Sequence, residues 1–238
     1  MEKKLLIVLV SLLAICSACN KDRITKKINL KTDKIEMHHL DTCSIVALSK
    51  LPITYESGNE YYAKVDENGL VKGMFVGNTR IKVSNEIDTK FVDVIIKPTT
   101  YLYNEPDIQF GESKESVIAK FGQPNEETSS GILYNMTSVI SYYLVVSFDD
   151  NNNVSSYGVM IPSELATLLS DFLSERYLFV YYTNSRFLFI DALSMSEAHK
   201  AILMYSFNTS YWVAAYAPVN SDKSLSDDFI KKFGNIIQ

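Results

Sequence analysis

The residue with the most distinctive chemistry in the sequence is Cys19, a thiol that directly follows two small residues near the start of the chain. Two lysines form a basic start, residues 5–15 form an apolar run, and Ser17 and Ala18 precede the cysteine. The apolar run is too short to span a bilayer comfortably, and this order is typical of a cleavable export signal. The sequence therefore predicts export, with cleavage beside Cys19.

Residues 1–19 resemble a bacterial lipoprotein signal, in which the peptide is cut just before a cysteine that then carries acyl chains such as palmitate. The resemblance implies that residues 1–18 are removed, that Cys19 is lipidated and that the protein is an outer-membrane lipoprotein. Several acyl chains, at about 0.8 kcal/mol per buried methylene, hold a protein stably on a bilayer. Residues 20–23 do not match an acidic surface-export tag, so the periplasmic and surface faces are both open.

The charge of the chain argues against nucleic acid as a partner, and its cysteine content argues against a disulfide. Cleavage removes two lysines and a glutamate and leaves 21 basic and 27 acidic residues, so the mature chain lacks the positive field that attracts nucleic acid. Cys43 is then the one unmodified thiol, and no disulfide can form within one chain. Its strand-like surroundings, residues 42–48, predict a small buried side chain rather than a reactive thiol.

One acidic segment has oxygen ligands at alternate positions, as a calcium loop does at its start. Asp149, Asn151 and Asn153 would supply these oxygens. Val154 stands where such a loop needs glycine, and Met160 stands where it needs a bidentate glutamate. The segment is therefore interpreted as a plain hairpin turn, for which Asp and Asn are common residues.

The parts of the common catalytic sites are missing from the sequence. It contains three histidines, His38, His39 and His199, and no motif typical of zinc proteases, serine hydrolases or phosphate-binding loops. His38 and His39 are adjacent and would point to opposite faces of a strand, which disfavours chelation by the pair. We therefore expect a protein that is not an enzyme and has no metal or cofactor.

Aromatic residues are concentrated late in the chain. Ten of the fifteen tyrosines lie between Tyr134 and Tyr216, together with the single tryptophan. Such residues favour strands and can form a sheet core, but exposed together they form a face that binds sugars or proteins. Both interpretations stay open. The candidate binding residues are Tyr143, Tyr182, Tyr211 and Trp212.

The elements that would position these residues fall into two predicted domains, preceded by a tether at residues 19–27. Residues 28–98 show short runs of alternating apolar and polar residues separated by turn residues, which predicts an antiparallel β-sandwich. Asn68-Gly69 suits a tight hairpin because both residues tolerate positive φ. Pro98 ends the last strand, and residues 99–107 are predicted to be a linker.

Within the first domain, residues 55–73 and 76–83 resemble the bacterial immunoglobulin-like group 2 domain. Tyr55 stands where that family usually has tryptophan, and Leu40 stands where it often has a glycine before the Asp-Thr pair. The resemblance covers residues 28–98. It implies an adhesive or spacer β-sandwich without catalytic residues.

Residues 108–238 are predicted to form an α+β domain with an antiparallel sheet. A helix begins at its cap Ser113 and ends at Gly122, and a second helix begins at Ser163 with an apolar stripe at helical spacing. Ser194–Glu197 matches a capping box, so a helix there competes with a strand. Strands are predicted at residues 132–134, 140–148, 154–161, 177–183, 186–193, 201–207 and 211–217, and a closing helix at Ser224–Ile237.

The helix and the strands of residues 108–161 resemble the small BamE-like (SmpA/OmlA) outer-membrane assembly lipoproteins. The leading hypothesis is a lipid-anchored, non-catalytic envelope protein in which an immunoglobulin-like module presents an α+β binding domain to a protein or glycan partner. The first alternative is a periplasm-facing accessory factor in outer-membrane assembly. The second is a surface protein for glycan binding or adhesion.

Overall fold

A computed structural model describes residues 25–183 and 186–219 of the protein. The predicted signal peptide, Cys19, most of the tether, the turn at residues 184–185 and the helix predicted at Ser224–Ile237 lie outside the described residues. Strands form most of the regular structure, and the sheets are mainly antiparallel. The prediction of a β-rich fold with antiparallel sheets is therefore confirmed. None of the helices described is long and apolar enough to cross a membrane.

Residues 25–98, here called the N-terminal part, contain nine strands among the residues described. A four-stranded sheet has the order β2-β9-β8-β5, a three-stranded sheet has the order β3-β7-β6, and β1 pairs with β4. The bounds are β1 (Asn29–Leu30), β2 (Lys34–His38), β3 (Thr42–Ser44), β4 (Ala47–Leu48), β5 (Thr54–Ser57), β6 (Ala63–Val65), β7 (Leu70–Gly73), β8 (Gly77–Ser84) and β9 (Thr89–Lys97).

The core of the N-terminal part is formed by alternate residues of these strands. Ile81 and Val83 of β8 are buried, whereas Lys82 between them is exposed. In β9, Val92, Val94 and Ile96 are buried, and Asp93 is exposed. Ala63 of β6 and Val71 of β7 join the same cluster from the other sheet. The alternation in the sequence therefore corresponds to one buried face per strand, as predicted.

Two expectations for the N-terminal part were wrong. Strand β2 pairs with β9 in parallel, so the sheets of the N-terminal part are not purely antiparallel. The side chain of Cys43 is exposed, not buried, because β3 is a three-residue edge strand whose residues all face solvent. Its neighbour Ile45 takes the buried position instead.

Residues 99–219, here called the C-terminal part, contain two helices and eight strands among the residues described. A 3₁₀ turn at Ser163–Leu165 leads into the second helix. The bounds are α1 (Lys114–Phe121), β10 (Glu126–Glu127), β11 (Gly131–Thr137), β12 (Ser141–Phe148), β13 (Val154–Pro162), α2 (Ala166–Ser174), β14 (Leu178–Thr183), β15 (Arg186–Ile190), β16 (Lys200–Ser206) and β17 (Tyr211–Pro218).

The eight strands form one sheet in the order β10-β11-β12-β13-β17-β16-β15-β14, in which every neighbouring pair is antiparallel. Each face of the sheet has its own apolar cluster. Ala214 and Tyr216 belong to the cluster that also contains residues of both helices and Leu102, and we call this side the helix face. Val213 and Ala215 belong to the cluster on the opposite face. Alternate residues of one strand thus serve two separate cores.

Helix α1 begins and ends where the sequence predicts. Ser113 is the N-cap, and its hydroxyl accepts a hydrogen bond from the backbone N–H of Ser116 at 3.3 Å. Gly122 ends the helix with φ of 85°, and its N–H donates to the Ile118 carbonyl at 2.9 Å. Glycine adopts this positive φ without the steric cost that other residues carry.

Helix α2 departs from its prediction in two ways. Ser163 starts a 3₁₀ turn and makes no capping hydrogen bond, so the helix proper begins at Ala166. Phe172 and Leu173 are buried, but Leu168 is 37% exposed, so the predicted apolar stripe is wider than the face that the nine-residue helix presents to the sheet.

Two loops resolve alternatives from the sequence. Ser194–Glu197 forms a turn, neither helix nor strand, in which the Ser194 hydroxyl donates to the Glu197 carboxylate at 3.0 Å. Residues 149–153 form the predicted hairpin turn, in which the carboxylate of Asp149 accepts hydrogen bonds from the backbone N–H groups of Asn151 and Asn153, both at 2.9 Å.

Candidate functional site

The four aromatic residues selected from the sequence lie on two different faces of the large sheet. Tyr143 and Tyr211 pack edge to face on the side opposite the helices, with ring centroids 5.7 Å apart. Trp212 packs against the cluster of the helix face. Because Tyr211 and Trp212 are consecutive in a strand, their side chains must point to opposite faces.

Tyr182 and Trp212 are brought together by a third residue, Phe187, which the sequence analysis did not select. The ring of Tyr182 lies 4.8 Å from that of Phe187, its direct cross-strand partner, and the ring of Phe187 lies 6.2 Å from that of Trp212. Tyr182 is 57% exposed, and the other two are partly buried against the core. We call these three residues the aromatic row.

The aromatic row begins at an exposed edge of the sheet. β14 is the outermost strand, and two of its other residues, Phe179 and Tyr181, are also about half exposed. The opposite edge, β10, consists of two exposed glutamates. Charge and short length protect a sheet edge from pairing with other chains, so β10 is protected, whereas β14 presents unshielded aromatic surface.

A carboxylate fixes the junction between the two parts of the chain. Glu175, which follows α2, is 7% exposed. Its Oε2 accepts from the backbone N–H of Thr99 at 2.9 Å and of Thr100 at 3.1 Å, and its Oε1 accepts from both threonine hydroxyls. Burial opposes the charged form, but these hydrogen bonds outweigh it and lower the pKa of Glu175.

Further contacts across the junction involve the backbone of residues 175 and 176. The N–H of Val76 donates to the Glu175 carbonyl at 2.8 Å, and the hydroxyl of Tyr61 donates to the Arg176 carbonyl at 2.7 Å. The guanidinium of Arg176 donates to the Thr100 carbonyl at 3.3 Å and lies 3.7 Å from the ring centroid of Phe172. The predicted linker therefore starts with a segment held in place by hydrogen bonds from the C-terminal part.

The first described residues lie at the other end of the N-terminal part. The carbonyl of Thr25 accepts from the N–H of Lys50 at 2.8 Å, and the carbonyl of Lys26 accepts from the side chain of Asn85 at 2.9 Å. Asn85 directly follows β8, whereas the start of β8 lies beside Val76 at the junction. The eight residues of β8 span roughly 25 Å. The two ends of the N-terminal part are therefore separated by the length of this strand.

The two adjacent histidines lie near the junction and do not converge. His38 is exposed and lies 3.5 Å from the carboxylate of Asp41. The ring of His39 hydrogen-bonds to the Met74 carbonyl and stacks on Phe75 with centroids 5.7 Å apart. Within residues 25–183 and 186–219, no group of three or more His, Cys, Asp or Glu side chains is arranged to hold a metal ion.

Comparisons with known proteins give little similarity. No protein-family model and no curated protein matches the chain. Among solved structures, domains 5–6 of the S-layer protein SbsC are 11% identical over 82% of this chain and 85% of that one, with a TM-score of 0.26. Domains 4–9 of the surface layer protein SbsC are 12% identical over 82% of this chain and 27% of that one, also with a TM-score of 0.26. At this TM-score, neither likeness carries an argument about fold or function.

Proposed function

We propose that the protein is a lipid-anchored, non-catalytic component of the bacterial cell envelope, in which the N-terminal part is a spacer and the C-terminal part binds a partner. One observation carries this proposal: the start of the described chain and the junction lie at opposite ends of the N-terminal part. A lipid on Cys19 would be followed by a short tether to the far end. The C-terminal part would then stand away from the bilayer by about the length of β8.

The junction supports the same role. A spacer that positions a binding surface needs a stiff connection, because a flexible linker lets the attached domain sample many orientations. The four hydrogen bonds to the carboxylate of Glu175 restrict Thr99 and Thr100 where a flexible linker would be free. The aromatic row would therefore be presented in a defined direction.

Two finer statements about the fold belong to the proposal. The N-terminal part is a bacterial immunoglobulin-like group 2 sandwich, supported by its four- and three-stranded sheets with one shared core. The C-terminal part is an α+β domain, supported by two helices that contribute to the core on one face of its eight-stranded sheet. The membrane of the anchor is the outer membrane.

The partner binds at the aromatic row and the adjoining strand β14. Exposed tyrosine and tryptophan rings supply large contact area with little loss of side-chain entropy, and they are enriched where proteins bind partners. Surface adhesion through a glycan is the second candidate function, because flat exposed rings such as that of Tyr182 also stack on sugar rings. The assembly-factor alternative stays a prediction, since no feature of the described residues favours it.

Two experiments test the proposed function. Metabolic labelling with a palmitate analogue should mark the wild-type protein and fail to mark Cys19→Ser, and an unlabelled wild type would refute the lipid anchor. Partners captured by cross-linking on intact cells should be lost from a Tyr182→Ala, Trp212→Ala double variant, because each central aromatic contact contributes about 2 kcal/mol. Tyr143→Ala, on the opposite face, is the control. Equal capture by both variants would refute binding at the aromatic row.

A further inference from the structure

A polar cavity of about 300 Å³ lies at the junction, away from the aromatic row. Ligand pockets in proteins begin at about this size, which suits a molecule no larger than a monosaccharide or an amino acid. Both parts of the chain contribute to its wall. The residues that matter for its chemistry are Tyr61, Tyr62, Glu105, Tyr177, Asp191 and Lys200.

The aromatic side of the cavity is fixed by packing. Tyr61 is held by its hydrogen bond to the Arg176 carbonyl and by stacking on Phe75, with centroids 4.6 Å apart. Tyr62 lies over Gly77, where a Cβ atom would come within 2.4 Å of the ring. Tyr62 therefore keeps its place because residue 77 has no side chain, and its hydroxyl makes no hydrogen bond to any residue described.

The two carboxylates are held rigidly by one oxygen each. Glu105 Oε1 accepts from the hydroxyl of Tyr177 at 2.5 Å and from that of Tyr216 at 3.3 Å. Asp191 Oδ1 accepts from the backbone N–H groups of His199 and Lys200, at 2.9 Å and 2.8 Å. The second oxygen of each carboxylate has no hydrogen-bond partner among the described residues and is left to accept from a ligand.

The positive charges at the cavity do not neutralise these carboxylates directly. The ammonium of Lys200 lies 5.8 Å from the ring centroids of both Tyr177 and Tyr216, and it forms no ion pair within the described part of the chain. The guanidinium of Arg176 is already engaged by the carbonyls of Phe172 and Thr100 and lies 3.8 Å from Glu175. Because Arg176 is paired with Glu175, Lys200 is left as the one cation facing two carboxylates among the residues that line the cavity, which leaves an excess of one negative charge.

We propose that this cavity binds a small ligand that carries a protonated primary amine and several hydroxyl groups, which is the chemistry of an amino sugar. The amine donates to the free oxygens of Glu105 and Asp191, because hydrogen bonds between charged groups are the strongest that the cavity can form. The hydroxyls bond to the Tyr62 hydroxyl, and the sugar ring lies against the tyrosine rings. Lys200 swings toward solvent when the amine binds, since the two cations compete for the same carboxylates. The site is independent of the lipid anchor and of the aromatic row.

The test measures binding of glucosamine and N-acetylglucosamine to the full mature chain by titration in NMR. Glucosamine should bind with a dissociation constant in the millimolar range, as expected for about twelve heavy atoms, and N-acetylglucosamine at least about tenfold more weakly because its nitrogen carries no charge. Equal affinity for the two sugars, or no saturable binding of glucosamine, would overturn the proposal.

Variants locate the binding site without disturbing the fold. Glu105→Gln and Asp191→Asn keep a carbonyl oxygen for the tyrosine or backbone donors but remove the charge, so each should weaken glucosamine binding by about tenfold. Lys200→Gln removes the competing cation and should strengthen it several-fold. Asp150→Asn, in an exposed turn, is the matched charge control and should change nothing. Unchanged binding in both amide variants, with unfolding transitions like that of the wild type, would place the sugar elsewhere and refute the assignment.

Discussion

Replacing Glu175 by alanine tests whether its carboxylate holds the segment that joins the two parts of the chain. The change removes a buried acceptor of four hydrogen bonds from Thr99 and Thr100. A hydrogen bond to a charged group contributes about 1.5–3 kcal/mol. Thr99 is exposed, so water replaces part of what is lost, and the bonds are not additive. We therefore expect the free energy of unfolding to fall by about 3 kcal/mol, well short of the sum of four bonds.

Glu175→Gln is the matched control. Its amide oxygen can accept from the two backbone N–H groups, and its NH₂ group can donate to the threonine hydroxyls, which rotate to accept. All four contacts survive without the charge. The expected loss is about 1 kcal/mol, so the alanine variant should be clearly less stable than the glutamine variant.

The pH dependence follows from the lowered pKa of Glu175. A carboxyl group whose pKa is lower in the folded state adds stability above its unfolded pKa, which is about 4.3. This contribution is lost as the pH falls from that value through the folded-state pKa. The stability difference between wild type and Glu175→Gln should therefore be largest near neutral pH and should shrink below about pH 4.

Urea unfolding followed by circular dichroism measures these differences, and chymotrypsin cleavage after Tyr101, a 62% exposed residue beside the junction, reports on local opening. Glu175→Ala should be cleaved there faster than wild type. An alanine variant that unfolds at the wild-type urea concentration and resists chymotrypsin equally would refute a junction held by this carboxylate. Equal losses in Glu175→Ala and Glu175→Gln would show that charge, and not hydrogen bonding, carries the effect.

Three further predictions concern single positions. Gly77 has φ of +147°, and a Cβ there would lie 2.4 Å from the Tyr62 ring, so Gly77→Ala should lower the free energy of unfolding by at least about 2 kcal/mol in thermal denaturation. Gly111 has φ of +83° but open space around it, so Gly111→Ala should lower it by only about 1 kcal/mol. Equal losses in the two variants would contradict the clash. Ser113→Ala removes the cap of α1 and should cost about 1 kcal/mol in urea unfolding, and an unchanged midpoint would contradict the cap. The exposed thiol of Cys43 should react with a disulfide reagent such as DTNB without denaturant, and a reaction seen only after unfolding would refute its exposure.

Local features of the sequence predicted local structure well. The cap Ser113 and the terminator Gly122 define α1 because capping depends on residues within one turn of the helix. The strands β8 and β9 follow the alternation of apolar and polar residues, a pattern that also acts over short distances. Leu168 and Cys43 were misassigned because the burial of an apolar residue depends on what packs against it.

The aromatic row and the cavity could only be partly anticipated. Tyr182 and Trp212 were selected for their residue types, but their connection through Phe187 depends on the register of β14 with β15 and on the order of the strands. Nothing near Glu175 in the sequence points to Thr99 and Thr100, which are 75 and 76 residues away. Likewise, nothing near Glu105 in the sequence points to the hydroxyls of Tyr177 and Tyr216, which are 72 and 111 residues away.

The sequence by itself indicated the β-rich character of the chain and the two ends of α1, and the export-type start with Cys19 stays a prediction. These depend on residue chemistry and on interactions between near neighbours. The tertiary structure alone decided which strand lies at the exposed edge, which rings meet on one face and which carboxylates end up beside tyrosine hydroxyls. Such contacts join residues far apart in the chain, and they exist only when the whole chain has packed, because packing is what sets register and burial.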